Sequence, residues 1–119
     1  MQWKIKILQE AKKEYYKLNG SVRKQVLAWI LKVSKSPLPS PNGYGKLLGN
    51  KNGNNLTGFF KIKYREIGIR VVYTLVPSER IMNIVVISER DENFCYDVAA
   101  KLYKIYGEKI FENFFDDFM

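Results

Sequence analysis

The chain contains no histidine and only one cysteine, Cys95, in 119 residues. Without imidazole, the usual general base and the partner of most nucleophiles are missing, so any catalysis falls to Lys, Arg, Tyr or carboxylates. A zinc site of ordinary ligands is not expected for the same reason. One thiol cannot close an internal disulfide, which suits a reducing cytoplasm. No apolar run approaches the length of a membrane span. The opening MQWKIKILQE carries charge where a signal peptide needs its apolar stretch. These absences lead us to expect a cytoplasmic protein with no metal, no other cofactor and no membrane partner.

Carboxylates are also scarce, but only in one part of the chain. Residues 1–70 hold 15 Lys and Arg against 3 Asp and Glu, whereas residues 71–119 hold 5 against 9, so the halves carry +12 and −4 within a net +8. This polarity predicts a basic binding region and an acidic end. With 46% hydrophobic and 27% charged residues, residues 1–119 read as one globular domain with a single core.

The most informative stretch is FFKIKYREIGIR, residues 59–70. Apolar and charged residues alternate with period two, as in a strand, a turn and a second strand. Phe60, Ile62 and Tyr64 take one face and Lys61, Lys63 and Arg65 the other. A two-residue turn at Ile67-Gly68, with glycine supplying positive φ, would pair Arg65 with Arg70, Lys63 with Val72 and Lys61 with Thr74. That register gathers Lys61, Lys63, Arg65 and Arg70 on one face with no interleaved carboxylate. Like charges placed across a sheet repel, so a polyanion such as RNA or DNA phosphate is the natural partner, although a solvated outer face is the plainer reading of any lone Lys-x-Lys.

The remaining elements follow in chain order. Trp3 to Leu8 alternates as a short strand. A helix is expected over about Gln9–Leu18, ended by Asn19-Gly20, and a second begins at a Ser21 cap with Val22, Val26, Trp29, Ile30 and Val33 on its apolar face. These two form an antiparallel hairpin that packs on the apolar side of the sheet. The prolines of residues 36–41 stop the second helix. A loop rich in glycine and asparagine then runs to Gly58, and its Lys46 and Lys51 are candidates for RNA contact together with Arg65, the alternative being a plain flexible linker. Pro77 to Arg80 turns the chain into a third strand, Ile81 to Ser88, with apolar residues of both parities: Ile81, Val85 and Ile87 against Met82, Ile84 and Val86. A strand covered on both faces reads this way. Asp91 or Asn93 caps a last helix bearing Tyr96, Val98, Leu102 and Tyr106.

KIKYREIGIRVVY followed by VVISERDENFCY resembles the RelE branch of the RelE/ParE superfamily of type II toxins, and the likeness extends from the first strand to about Tyr106. Lys61 and Lys63 match the branch's two strand lysines, Arg70 its arginine after the turn glycine, Arg90 the arginine past the last strand and Tyr96 the tyrosine six residues on. Glu89 stands where that branch is basic. The resemblance implies an α+β microbial-ribonuclease fold of order βααβββα, with a small, mainly antiparallel sheet against the helical hairpin. It further implies a toxin that cleaves messenger RNA in the A site of the small ribosomal subunit, amid ribosomal RNA, and is silenced by a cognate antitoxin. It makes Lys61, Lys63, Arg70, Arg90 and Tyr96 the catalytic set.

Metal-free RNA cleavage requires a base for the 2′-hydroxyl, cations for the growing charge and an acid for the leaving 5′-oxygen. Clustered cations depress one another's pKa, which would leave one of Lys61 or Lys63 neutral enough to be the base. Tyr96 is the rival base or a stacking platform. Arg70 suits phosphate, and Arg90 is either acid or clamp. Each has a plainer role open to it: Tyr96 as packing at a helix start, Arg90 as a pair for Asp91 or Glu92. Two other functions remain open, a ParE-like poison of DNA gyrase and a non-catalytic RNA- or partner-binding module. The 108–119 extension is acidic and aromatic. Phe111, Phe114, Phe115 and Phe118 fall at helical spacing, for docking on the domain itself or for an interface with the antitoxin or a second copy.

Overall fold

The computed structural model describes residues 2–51 and 53–118. Asn52 of the asparagine-rich loop and Met119 of the tail lie outside them. In chain order the elements are β1 (Lys4–Ile7), α1 (Gln9–Lys17), α2 (Gly20–Val33), β2 (Lys46–Leu47), β3 (Asn50–Lys51), β4 (Asn54–Asn55), β5 (Phe60–Tyr64), β6 (Ile69–Val76), β7 (Ile81–Ser88), α3 (Glu92–Tyr106) and β8 (Asp116–Asp117). Short 3₁₀ turns cover Pro77–Glu79 and Gly107–Phe111. The main sheet runs β2-β5-β6-β7-β1-β8. Its pairings are antiparallel apart from β1 with β7. The mainly antiparallel sheet expected from the sequence is therefore present, with short strands added at both edges.

Two apolar layers sandwich this sheet. Ala11 and Tyr15 of α1 and Val26, Ile30 and Val33 of α2 pack on Phe60, Ile62, Ile69, Val71, Tyr73 and Leu75, as the period-two pattern required. On the opposite face Cys95, Tyr96, Ala99 and Leu102 of α3 join Phe59, Val72, Val85 and Val86. The cation face of the hairpin is thus half covered by a helix, and only its outer end stays open.

Several local expectations need correction. Asn19 does not end α1; its side chain caps α2 by accepting from Val22 N at 2.9 Å, and Ser21 lies inside the first turn. Asn is as good an N-cap as Ser, and its position one residue before Gly20 decides the start.

The β5–β6 hairpin carries four loop residues, not two. Tyr64 pairs with Ile69, Lys63 with Arg70 and Lys61 with Val72. Gly68 takes φ +67° at the end of the loop, and its N–H donates to Arg65 O at 3.3 Å. Because the shift is two residues, each side chain keeps its face. Arg65 leaves the ladder, and the like-charged pair is Lys63/Arg70.

In β7, Val85 is an extra residue between the pairs Val72/Val86 and Tyr73/Ile84. This bulge turns Val85 and Val86 together toward α3 and places Met82, Ile84 and Ile87 on the opposite face, so the strict parity read from the sequence fails there.

Residues 42–58 also hold more structure than a linker. Lys46 pairs with Lys61 in the main sheet and β3 pairs with β4. Leu48 and Leu56 are buried in the α3-side core, and Asn54 donates to Asp97 of α3 at 2.8 Å. Gly45 is required by close approach: a Cβ there would lie 2.2 Å from the Tyr73 hydroxyl, which itself donates to Pro37 O at 2.7 Å.

Among the described residues the tail forms no α-helix. Gly107–Phe111 is 3₁₀ and β8 pairs with the free edge of β1. Of the four phenylalanines, Phe115 is buried, Phe111 and Phe118 are half-buried and Phe114 is exposed. Docking on the protein's own surface, the plainer of the two expectations, is what the structure shows.

Candidate functional site

The site begins with the register of β5. Lys61 and Lys63 project from the same face of that strand, Lys46 faces Lys61 from β2 and Arg70 faces Lys63 from β6. Lys46, Lys61, Lys63 and Arg65 line one cleft of about 370 Å³, walled by Trp29, Val33, Tyr44 and Ile62. Its remaining wall residue is Glu92, from the first turn of α3. Asp91 sets that helix start by accepting from Phe94 N at 2.9 Å. One turn further on, Tyr96 comes under the same strand.

Lys61, Glu92 and Tyr96 form a closed ring of contacts. Lys61 Nζ donates to Glu92 Oε2 and, at 2.9 Å, to the Tyr96 hydroxyl. The Tyr96 hydroxyl donates at 2.8 Å to the same Glu92 oxygen. Glu92 is therefore the carboxylate that the cation face was expected to lack. Nothing in the alternation of β5 points to it, because it arrives from a helix 31 residues away; its place four residues before Tyr96 on one helix face is the signal that was available.

The electrostatics follow from this ring. For Lys61, burial works to lower the pKa but is outweighed by the hydrogen bonds to Glu92 and Tyr96, and the net shift is upward. Lys61 is thus a held ammonium, which removes it as the neutral base in the free protein. Burial raises the Tyr96 phenol, and the pull of Glu92 adds to that against the opposing effect of Lys61, so the phenol keeps its proton. Hydrogen bonds from Lys61 and then Tyr96 hold the Glu92 carboxyl down to about 2.

Arg70 and Arg90 are arranged differently. Arg70 Nη1 donates to Arg90 O at 2.9 Å and, more weakly, to Gly68 O at 3.3 Å. Its Nε is buried and has no partner among the described residues. The Arg90 guanidinium lies 4.2 Å from the centre of the Phe94 ring and lines a second cleft with Glu14, Lys17 and Asn19. The structure thus brings Lys61, Lys63 and Tyr96 together, joins Arg70 to them through Lys63, and reaches Arg90 only through its backbone. Arg90 makes no ion pair with Asp91 or Glu92 among the described residues. Lys51, on β3, is not part of the cleft lining. A further groove of about 490 Å³ between α1 and α3 is mostly apolar and holds none of the candidate residues.

Known proteins share this arrangement of elements. The chain is 29% identical over 93 residues to the mRNA interferase toxin RelE of Escherichia coli K12, covering 78% of this chain and 88% of that protein. The free-state structure of a mutant E. coli RelE toxin matches with a TM-score of 0.67 and 26% identity, over 86% of this chain and 98% of that one. The chain is similar to RelE toxins in sequence and in fold. A RelE-like fold also lies in the intact E. coli RelBE toxin–antitoxin complex, which matches with a TM-score of 0.58 and 24% identity over 76% of this chain and 99% of that one. No family model matches the chain.

The Glu92 ion pair of this RelE-like chain carries a pH prediction. Its folded pKa is depressed below the ordinary 4.5 to about 2, so the stability it contributes is fully present above the unfolded value and disappears as pH falls through the folded one. The Glu92 side chain is 37% exposed, and solvent screening holds that contribution to about 1 kcal/mol or less. Thermal melts of the wild type and Glu92→Gln should differ by this small amount near neutrality and converge toward about pH 2. A gap that persists unchanged in acid would contradict the assignment.

Proposed function

We propose that the chain is the toxin of a type II toxin–antitoxin pair and acts as a ribosome-dependent endoribonuclease, cutting messenger RNA in the A site. The 2′-hydroxyl attacks the adjacent 3′-phosphate, leaving a cyclic phosphate and a free 5′-hydroxyl. The observation that carries this reading is the cross-strand row of cations, Lys46/Lys61 and Lys63/Arg70, set beside the Tyr96 hydroxyl. Phosphate chemistry needs that combination: positive charge for the pentavalent transition state and a hydroxyl that can exchange protons. Similarity to the E. coli mRNA interferase toxin RelE supports it.

The residues divide the work by their surroundings. Lys63 has no ion-pair partner among the described residues, and its side chain is open to contact the phosphate. Arg70 stabilises the developing charge, and Arg90 clamps the substrate from the neighbouring cleft. Lys46 and Arg65 hold the RNA backbone at the cleft rim. Tyr96 handles the proton of the 2′-hydroxyl. The protein partner is a cognate antitoxin, as in the RelBE complex.

Incubating the protein with programmed ribosomes and mapping 5′ ends tests the reading. Cuts confined to the A-site codon, blocked by the antitoxin, are the expected result. DNA breaks dependent on gyrase would point to a ParE-like poison, and binding without scission to a non-catalytic module. Affinity for single-stranded RNA should fall with salt at a log–log slope of roughly −0.7 for each phosphate that the cleft cations Lys46, Lys61, Lys63 and Arg65 neutralise. A slope near zero would remove the cleft as the RNA site.

A further inference from the structure

Within the ring of Lys61, Glu92 and Tyr96, the hydrogen bonds leave one group free to act. A phenol has one donor and two acceptor positions. The Tyr96 hydroxyl has given its donor to Glu92 Oε2 at 2.8 Å and accepts from Lys61 at 2.9 Å, so one lone pair remains. A hydroxyl bonded in this way receives a proton on one side and passes its own along the other.

We propose that Glu92 is the terminal proton acceptor of the cleavage step, reached through Tyr96, in the nuclease reading given above. The 2′-hydroxyl of the substrate bonds to the free lone pair of Tyr96. Its O–H bond breaks, the proton joins Tyr96 Oη, and the phenolic proton of Tyr96 moves to Glu92 Oε2, giving a neutral carboxylic acid. The electron pair of O2′ forms the new bond to phosphorus. The bond from phosphorus to O5′ breaks, the leaving oxygen keeps that pair and takes a proton from water, and Glu92 returns its proton to water to close the cycle. Tyr96 touches the substrate and is catalytic; Glu92 acts through it as a positioning residue.

Substrate binding itself prepares the acceptor. In the free protein the bond from Lys61 is the main reason that the Glu92 carboxyl titrates so low. An RNA phosphate entering the cleft competes for the Lys61 ammonium, and a carboxylate released from that bond is a stronger base. The charged groups facing Glu92 are Lys61 and Lys63 from β5, Lys46 from β2 and Arg65 from the hairpin loop, with Tyr44 across the cleft and Tyr96 on its own helix. The cations hold the carboxylate ionised until phosphate neutralises part of them. Arg70, whose fork is turned to backbone carbonyls, takes no part in this relay.

The test is single-turnover cleavage on programmed ribosomes by the wild type, Glu92→Gln, Glu92→Asp and Tyr96→Phe between about pH 5 and 9, alongside binding of a 2′-deoxy analogue of the message. Glu92→Gln keeps the shape and the hydrogen bonds but cannot accept a proton. It should bind the analogue at least as well as the wild type, cut about 10²-fold more slowly, within the range for lost acid–base catalysis, and lose the acid limb of its pH–rate profile. Tyr96→Phe should match it, and Glu92→Asp should recover part of the rate with the acid limb restored. An unchanged rate and profile for Glu92→Gln in a wild type that cuts would overturn the relay alone. So would equal losses in the Gln and Asp variants with the acid limb unmoved, because that pattern belongs to a merely structural contact. A wild type that fails to cut would overturn the nuclease reading and the relay with it.

Discussion

Arg70→Ala should lower the cleavage rate by about 10² to 10³-fold, the usual loss when one donor to a developing oxyanion is removed. Arg70 stands opposite Lys63 on β6, at the centre of the sheet, where the scaffold is stiffest. The effect has two sources. One is the missing positive charge that the proposed mechanism places beside the phosphate. The other is the lost bond to Arg90 O, which fixes the turn between β7 and α3 and with it the segment carrying Arg90, Glu92 and Tyr96. Arg70→Lys should recover little, since an ammonium keeps the charge but cannot hold a carbonyl and grip a phosphate with one rigid fork. The fold should survive, because Arg70 is only half-buried and its truncation removes a buried N–H that has no partner among the described residues. Single-turnover rates and melting curves measured on the same samples separate catalysis from stability. Full activity in a folded Arg70→Ala protein would take this residue out of the site.

The chain displays the parts of its structure that depend on period and leaves out those that depend on exact pairing. Alternation along residues 60–75 assigns the faces of β5 and β6, because burial on one side makes any odd slip prohibitive. An even slip costs nothing in pattern. The four-residue loop ending at Gly68 was therefore invisible to it, and Lys63 rather than Arg65 faces Arg70. The β7 bulge at Val85 is silent for a related reason: a run of apolar residues fits either face, so the extra residue leaves no mark on composition. The tail failed by the opposite route. Its phenylalanines sit at helical spacing, but Gly107 takes φ +63°, which ends α3 before that spacing can be used. Within the site, the cations were legible because uncompensated charge on a strand asks for an explanation. Glu92 was hidden among acidic neighbours, and its place four residues before Tyr96 is the one mark in the sequence that sets it apart from Asp91.

Deleting residues 108–119 should unfold the protein. Ile110 is fully buried and Phe115 nearly so, both in the core between the sheet and α3. Truncating a buried isoleucine to alanine alone costs about 2–5 kcal/mol, and the deletion removes far more. The backbone of this tail also satisfies two polar side chains that are wholly buried in the sheet: Thr74 Oγ1 donates to Ile110 O at 2.6 Å, and Asn83 Nδ2 donates to Glu112 O at 3.0 Å. Leaving each without an acceptor costs about 1–3 kcal/mol more, against a total stability of about 5–15 kcal/mol for a typical domain. The edge of β1 would lose β8 and the Lys6–Asp117 ion pair at 3.2 Å, exposing strand edge to aggregation. Circular dichroism and solubility of the truncated protein report the outcome. Ile110→Ala should be clearly destabilised, whereas Phe114→Ala, at an exposed ring, should lie within about 0.5 kcal/mol of the wild type. A truncated protein that stays folded and cuts RNA but escapes the proposed antitoxin would instead assign residues 108–119 to the partner interface, with their burial against α3 a secondary matter.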